Sequence, residues 1–177
     1  AEPDPQVGQR LLDLLDTWAW RRQDLDAALL LGWLGAAMIG GALKWRPMVW
    51  LTGGRGTGKS WLQSLIRMVL GDALIDTANT TAAFLWQTLR QQTLPVSVDE
   101  LEATEDNRKV LAVVELARIS ASGGRLGRGG DKHTPVDFRL QSPFLFSSIL
   151  IPPLNGADRS RMAILNMKPL DPSSAAP

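Results

Sequence analysis

Met48-Val49-Trp50-Leu51-Thr52-Gly53-Gly54-Arg55-Gly56-Thr57-Gly58-Lys59-Ser60-Trp61-Leu62 joins an apolar run, a glycine-rich loop and the start of a helical pattern. The apolar run predicts a buried strand, 47–52, and Leu62, Leu65 and Ile66 predict a helix over about 59–70, stopped by Gly71. Between them, residues 53–60 satisfy G-x-x-x-x-G-K-[ST] in full. In a strand–loop–helix setting that pattern is a phosphate cradle. Glycines admit the backbone dihedrals and the close approach that let successive N–H groups converge on one anion. The helix adds the positive end of its dipole. Residues 53–61 are therefore the candidate nucleotide-binding set. Lys59 reaches the β- and γ-phosphates, and the Ser60 hydroxyl coordinates Mg²⁺. Arg55 and Thr57 fill variable positions and are expected to serve shape and solvation. The expected ligands are ATP and Mg²⁺.

Downstream, Leu94-Pro95-Val96-Ser97-Val98-Asp99-Glu100 reads as an apolar strand delivering two carboxylates at its end. The carboxyl ends of strands in open α/β sheets are where ligands bind. Asp99 would hold the magnesium through water, and Glu100 would polarise the attacking water. Two carboxylates at that place point to hydrolysis rather than storage of nucleotide.

Working outward, strands alternate with helical patterns, which implies α/β layering around a mainly parallel sheet. Helices are expected over 9–20 and about 25–40, the latter capped by Asp24, with a short strand at 73–75. Further helices are expected at 81–92, capped by Asn79 or Thr80, and at 108–119. Strands are expected at 95–98, 136–140, 144–151 and 162–167. The chain divides into an N-terminal edge (1–8), N-terminal helices (9–46), the nucleotide-binding core (47–170) and a disordered tail (171–177). Glycines 123, 124, 127, 129 and 130 break regular structure and suggest a β-hairpin with Lys132 and His133 at its tip.

Composition sets limits. The chain has 177 residues, 45% of them hydrophobic, and a formal charge of +1. That is enough to bury a core, and the net balance does not announce a nucleic-acid binder. The distribution says more. Arg118, Arg125, Arg128, Lys132 and Arg139 face only Asp131 and Asp137 within 118–139, a local basic segment suited to a polyanion. Cysteine is absent, consistent with a cytoplasmic protein, and thiolate metal sites are excluded. A single histidine excludes a His-based metal cluster or triad. Ala27–Leu43 is uncharged but too short and too interrupted by glycine to span a bilayer, so it reads as a buried helix. Trp18, Trp33, Trp50, Trp61 and Trp86 fall on apolar faces and read as core, although Trp61 also directly follows the loop. Trp45, just before the loop strand, is a candidate neighbour of the base.

Asp131 through Ser148 resembles the hairpin-plus-sensor segment of superfamily 3 helicases, hexameric AAA+ replicative motors. Lys44–Gly53 through Asp99-Glu100, with Phe146-Ser147-Ser148 through Asp158-Arg159-Ser160-Arg161, is similar to the ATPase domain of phage and prophage primase-helicases. The resemblance covers about 40–167. It implies an AAA+ P-loop NTPase fold with a β-hairpin inserted before the sensor strand. It also implies that Lys132, His133 and Arg128 contact single-stranded DNA in the pore of a ring, and that Arg161, or else Arg159, enters the neighbouring subunit's site. The alternative for both arginines is a surface pair with Asp158. The family's sensor asparagine is Ile149 here, so the polar sensor falls to Ser148 or Ser147. No primase region is recognisable, so primase or other replication domains would belong to a longer polypeptide. The implied function is an ATP-hydrolysing helicase motor, with no membrane partner. An ATP-dependent switch or loader is the alternative. A small-molecule P-loop kinase and a non-hydrolysing scaffold are further competitors.

Overall fold

The computed structural model describes residues 4–129 and 135–169, and of 125–129 and 135–138 the backbone alone. Five strands build one all-parallel sheet: β1 (Met48–Thr52), β2 (Ile75–Ala78), β3 (Val96–Asp99), β6 (Phe144–Ser148) and β7 (Met162–Asn166), in the order β2-β3-β6-β1-β7. Strand alternation sorts their side chains to two faces. Met48, Trp50, Phe144 and Phe146 point toward α4 (Ala82–Leu89) and α5 (Arg108–Ala121), where Leu85, Leu89, Val113 and Val114 close one core. Val49, Leu51, Leu145 and Leu165 point the other way, against α1 (Val7–Leu15), α2 (Asp26–Met38) and α3 (Lys59–Leu70). The sheet is thus flanked by helices on both faces. Every residue of β1 and β6 is buried, as parallel strands with two covered faces require.

The strands and α3 lie where periodicity puts them, to within one to three residues. Elsewhere tertiary contacts move the boundaries. The first helix ends at Leu15 rather than 20, because Trp20 turns inward: its indole donates to Leu15 O at 2.8 Å, and its backbone bridges Met167. Residues 19–22 then run along the outer edge of β7, with Arg21 N donating to Asn166 O at 2.8 Å. Asp24 does not cap α2. Asp26 does the local work instead: fully buried, it accepts from the Arg22 guanidinium. The expected strand at 73–75 is displaced to 75–78 behind a 3-10 turn, Gly71–Ala73. Thr81, not Asn79 or Thr80, caps α4, accepting from Phe84 N at 3.2 Å. The strand expected to run to 151 stops at Ser148. Ile149 and Leu150 are exposed and belong to the loop beyond it.

The glycine-rich stretch is not wholly irregular. β4 (Arg125–Gly129) pairs antiparallel with β5 (Pro135–Arg139), Arg128 opposite Val136. Lys132 and His133, the expected DNA-contacting tip, lie outside the described residues, as does the tail 170–177. Among the described residues no helix is long and apolar enough to cross a membrane.

Candidate nucleotide site

The parallel register decides what meets at the carboxyl edge of the sheet. Thr52 of β1 lies beside Ser148 of β6, and Val98 of β3 lies beside Phe146. The loop leaving β1, the serines ending β6 and the carboxylates ending β3 therefore open into one cavity. It measures about 430 Å³ and is lined by residues 54–61, Gln63, Asp99, Glu100, Glu102 and 147–149. That edge is where ligands bind in such sheets.

The loop is held in shape by its own chemistry. Gly58 adopts φ +83°, and a methyl group there would stand 2.9 Å from the Trp18 indole nitrogen, which donates to Gly58 O at 3.2 Å. Only glycine meets both demands. At Gly53 a Cβ would stand 2.7 Å from Met167 O, so the loop leaves the sheet pressed against the end of β7. Gly53 itself lies behind the cavity rather than on its wall. Thr57, expected to be incidental, is buried, and its hydroxyl donates to Gly54 O at 3.0 Å, closing the loop. The N-terminus of α3 opens at Lys59, and its first residues, Lys59, Ser60 and Trp61, line the cavity, where a helix start favours an anion.

Lys59 folds back onto the loop, donating to the carbonyls of Gly53 and Gly54. Desolvation pushes its ammonium below the ordinary lysine value, opposed first by the attraction of Glu102 and then by that of Asp99. A desolvated cation resting on carbonyls gains a strong partner if a phosphate arrives. Asp99 accepts from Glu100 N at 2.8 Å. Glu100 sits at φ +54°, a left-handed conformation that costs a side-chain-bearing residue about 1–2 kcal/mol. That strained turn aims consecutive carboxylates at the cavity instead of continuing the strand.

Two residues of the wall, Glu102 and Gln63, were not singled out by sequence reasoning. Glu102 accepts from Ile149 N at 2.5 Å and Leu150 N at 3.0 Å, tying the carboxylate loop to the chain leaving β6. Gln63 is 3% exposed, yet its Nε2 has no hydrogen-bond partner. Ser147 Oγ is likewise buried without one. Ser148 Oγ, by contrast, accepts from the Trp50 indole at 2.8 Å, so of the two serines it is Ser147 whose Oγ has no partner. Buried polar groups without partners are rare and call for a ligand or ordered water. No local pattern announces Gln63. Its place on α3, one turn after the loop, could have flagged it.

The tryptophans divide. Trp33 and Trp50 are core, whereas Trp61 is 79% exposed at the cavity's rim, correcting the expectation of a core residue. Trp45 is half-exposed and does not line the cavity. Arg161 is exposed and donates to Ala157 O at 3.4 Å, while Arg159 lines a different concavity. Neither pairs with Asp158, which is buried and bound to Arg118 at 3.2 Å.

Solved structures with a similar fold are known. The C-terminal region of NrS-1, solved in the apo state, superposes with TM-scores of 0.58, 0.59 and 0.53 in three structures. Identities are 14%, 15% and 18%, over 100%, 94% and 94% of this chain. At such identities the likeness is one of fold. The chain spans about two fifths of the length of those structures (41%, 39% and 38%). No protein-family model and no curated protein matches the chain.

Among the described residues no three histidine or acidic side chains converge as a metal cage. A cation held by Ser60 and Asp99 would therefore take its other ligands from phosphate and water, as magnesium commonly does. The residues present fit that arrangement: a hydroxyl at a helix mouth, a carboxylate across the gap, and unsatisfied polar groups on the wall between.

Proposed function

We propose that this chain is an ATP-hydrolysing AAA+ motor domain of the phage or prophage replicative-helicase type, working on single-stranded DNA as a ring oligomer. The observation that carries the nucleotide half is the cavity itself. It combines a phosphate loop at a helix N-terminus, two carboxylates opposite, and buried Gln63 Nε2 and Ser147 Oγ without partners. Loop amides and Lys59 bind the triphosphate, and Ser60 with Asp99 holds Mg²⁺, which neutralises phosphate charge. Glu100 orients and deprotonates the attacking water. Ser147, lying between loop and carboxylates because β6 separates β1 from β3, senses the γ-phosphate.

The motor half rests on the resemblance and on the exposed Arg161, which has no acidic partner among the described residues and no place in its own subunit's cavity. A charge there is suited to completing a neighbour's site. The fold likeness to the NrS-1 region agrees with this reading. A loader or switch would use the same cavity, and the engagement of Ile149 N by Glu102, where the family places a sensor asparagine, favours that second reading if turnover is slow.

The test is ATP turnover with and without single-stranded DNA, on wild type, Lys59→Ala and Glu100→Gln. The reading expects DNA-stimulated turnover that rises with protein concentration, lost in both variants, with nucleotide binding kept by Glu100→Gln. DNA-independent hydrolysis by a strict monomer contradicts the motor.

A further inference from the structure

A second cavity, of about 640 Å³, lies away from the phosphate loop and shares no lining residue with the first. It sits at the outer edge of β7, where residues 19–22 run alongside the strand, and Pro152 and Pro153 join its lining. Three arginines line it: Arg21, Arg22 and Arg159. Ile151, Pro152, Pro153, Leu154 and Ile164 supply its apolar lining.

The arginines are not equivalent. Arg22 is anchored: it pairs with the fully buried Asp26 and donates to Ile164 O at 2.9 Å, while its Nη1 has no hydrogen bond among the described residues. Its charge is neutralised, but its position is fixed. Arg21 and Arg159 are exposed, and among the described residues neither side chain has an acidic partner or hydrogen bond. Two uncompensated positive charges and one pre-set donor thus share a cavity with prolines and aliphatic side chains. Like charges gathered without an acid repel one another, so the arrangement favours an anion.

The chemistry narrows the anion. A lone carboxylate would neutralise one guanidinium, whereas a phosphate offers oxygens to both and matches their forked donors. The apolar lining asks for a ligand with an apolar portion, and the volume is that of a small-molecule site. We infer that this cavity is a second nucleoside-phosphate site, with the phosphate on Arg21 and Arg159, steadied by Arg22, and the nucleoside over Pro152 and Pro153. Such a unit can come from a free nucleotide or from one residue of a single strand. The inference does not rest on the phosphate-loop reading, since its test begins with that site disabled.

The test uses the whole chain in a Lys59→Ala background. One arm titrates ADP by calorimetry, and the other follows a fluorescein-labelled twelve-residue oligothymidylate by anisotropy. Arg21→Ala/Arg159→Ala is expected to weaken binding at least tenfold in one arm or both. Loss in the ADP arm identifies a free nucleotide, and loss in the oligonucleotide arm alone identifies a strand. Arg21→Glu/Arg159→Glu should abolish the same signal. Both arginines are exposed and unpaired, so the melting temperature should hold within about 2 °C. Unchanged titrations with either double variant overturn the site. So does a variant that leaves both titrations intact but lowers self-association, which would make the cavity a seat for a second copy.

Discussion

Replacing Glu102 removes the clasp between the carboxylate loop and the chain leaving β6. Its carboxylate accepts from Ile149 N at 2.5 Å and from Leu150 N at 3.0 Å. Buried hydrogen bonds to a charged group contribute about 1.5–3 kcal/mol each. These bonds reach solvent, so about 0.5–1 kcal/mol each is the reasonable figure after screening. Glu102→Ala should then cost about 1–2 kcal/mol. For a chain of this size that lowers the melting temperature by about 2–8 °C. Glu102→Gln keeps an acceptor oxygen but loses the charge, so about half the loss is expected. Glu102 is also the leading attraction that opposes desolvation of Lys59. Both variants should therefore depress the Lys59 pKa further, an effect a merely structural clasp would not produce. Differential scanning fluorimetry gives the first quantity, and a nitrogen-detected NMR titration of the lysine gives the second. Glu102→Ala melting within 1 °C of wild type, with an unmoved Lys59, would refute the reasoning.

Other outcomes follow from the same contacts. Gly58→Ala must place a methyl 2.9 Å from the Trp18 indole at φ +83°, so it should lose about 2 kcal/mol or more by denaturant titration, and nucleotide binding with it. Gln63→Met relieves a buried, unpartnered amide, so the melting temperature should rise by about 2–4 °C while nucleotide affinity falls, as calorimetry would report. Lys59 also gives a pH signature. Its folded pKa lies below 10.5, so the penalty of burying its charge is full below the folded value. That penalty fades as pH rises through the folded pKa toward 10.5. Wild-type stability relative to Lys59→Met should therefore increase with pH across that window, and a decrease would count against the desolvated lysine.

The sheet and the glycine-rich loop between β1 and α3 were readable because their signals are local. The apolar run at 48–51, the glycines at 53–58 and the helical spacing of Leu62 and Ile66 each depend on near neighbours, and the parallel sheet followed from alternation. Asp99 and Glu100 were legible because a strand end delivers them. The rest is long-range. Glu102 matters through amides 47 and 48 residues away. Trp20 ends α1 early because it bridges Met167, and Arg22 is fixed by a carbonyl at the far end of the chain, Ile164 O. Trp61 illustrates a different failure: it shares an apolar-looking helix, yet the buried stripe runs through Leu62, Ile66 and Leu70 and leaves Trp61 and Met68 outside. Hydrophobic character alone misplaced it, where its helical angle would not have.

The central claim is that a triphosphate and its magnesium occupy the mouth of α3. The direct measurement is a crystal structure of the chain grown with a non-hydrolysable ATP analogue and magnesium. The account predicts phosphates cradled by the amides of 54–60, Lys59 swung from the Gly53 and Gly54 carbonyls onto a phosphate oxygen, and magnesium between Ser60 and the Asp99 side. A loop that stays empty at saturating analogue, with Lys59 still on those carbonyls, would contradict it.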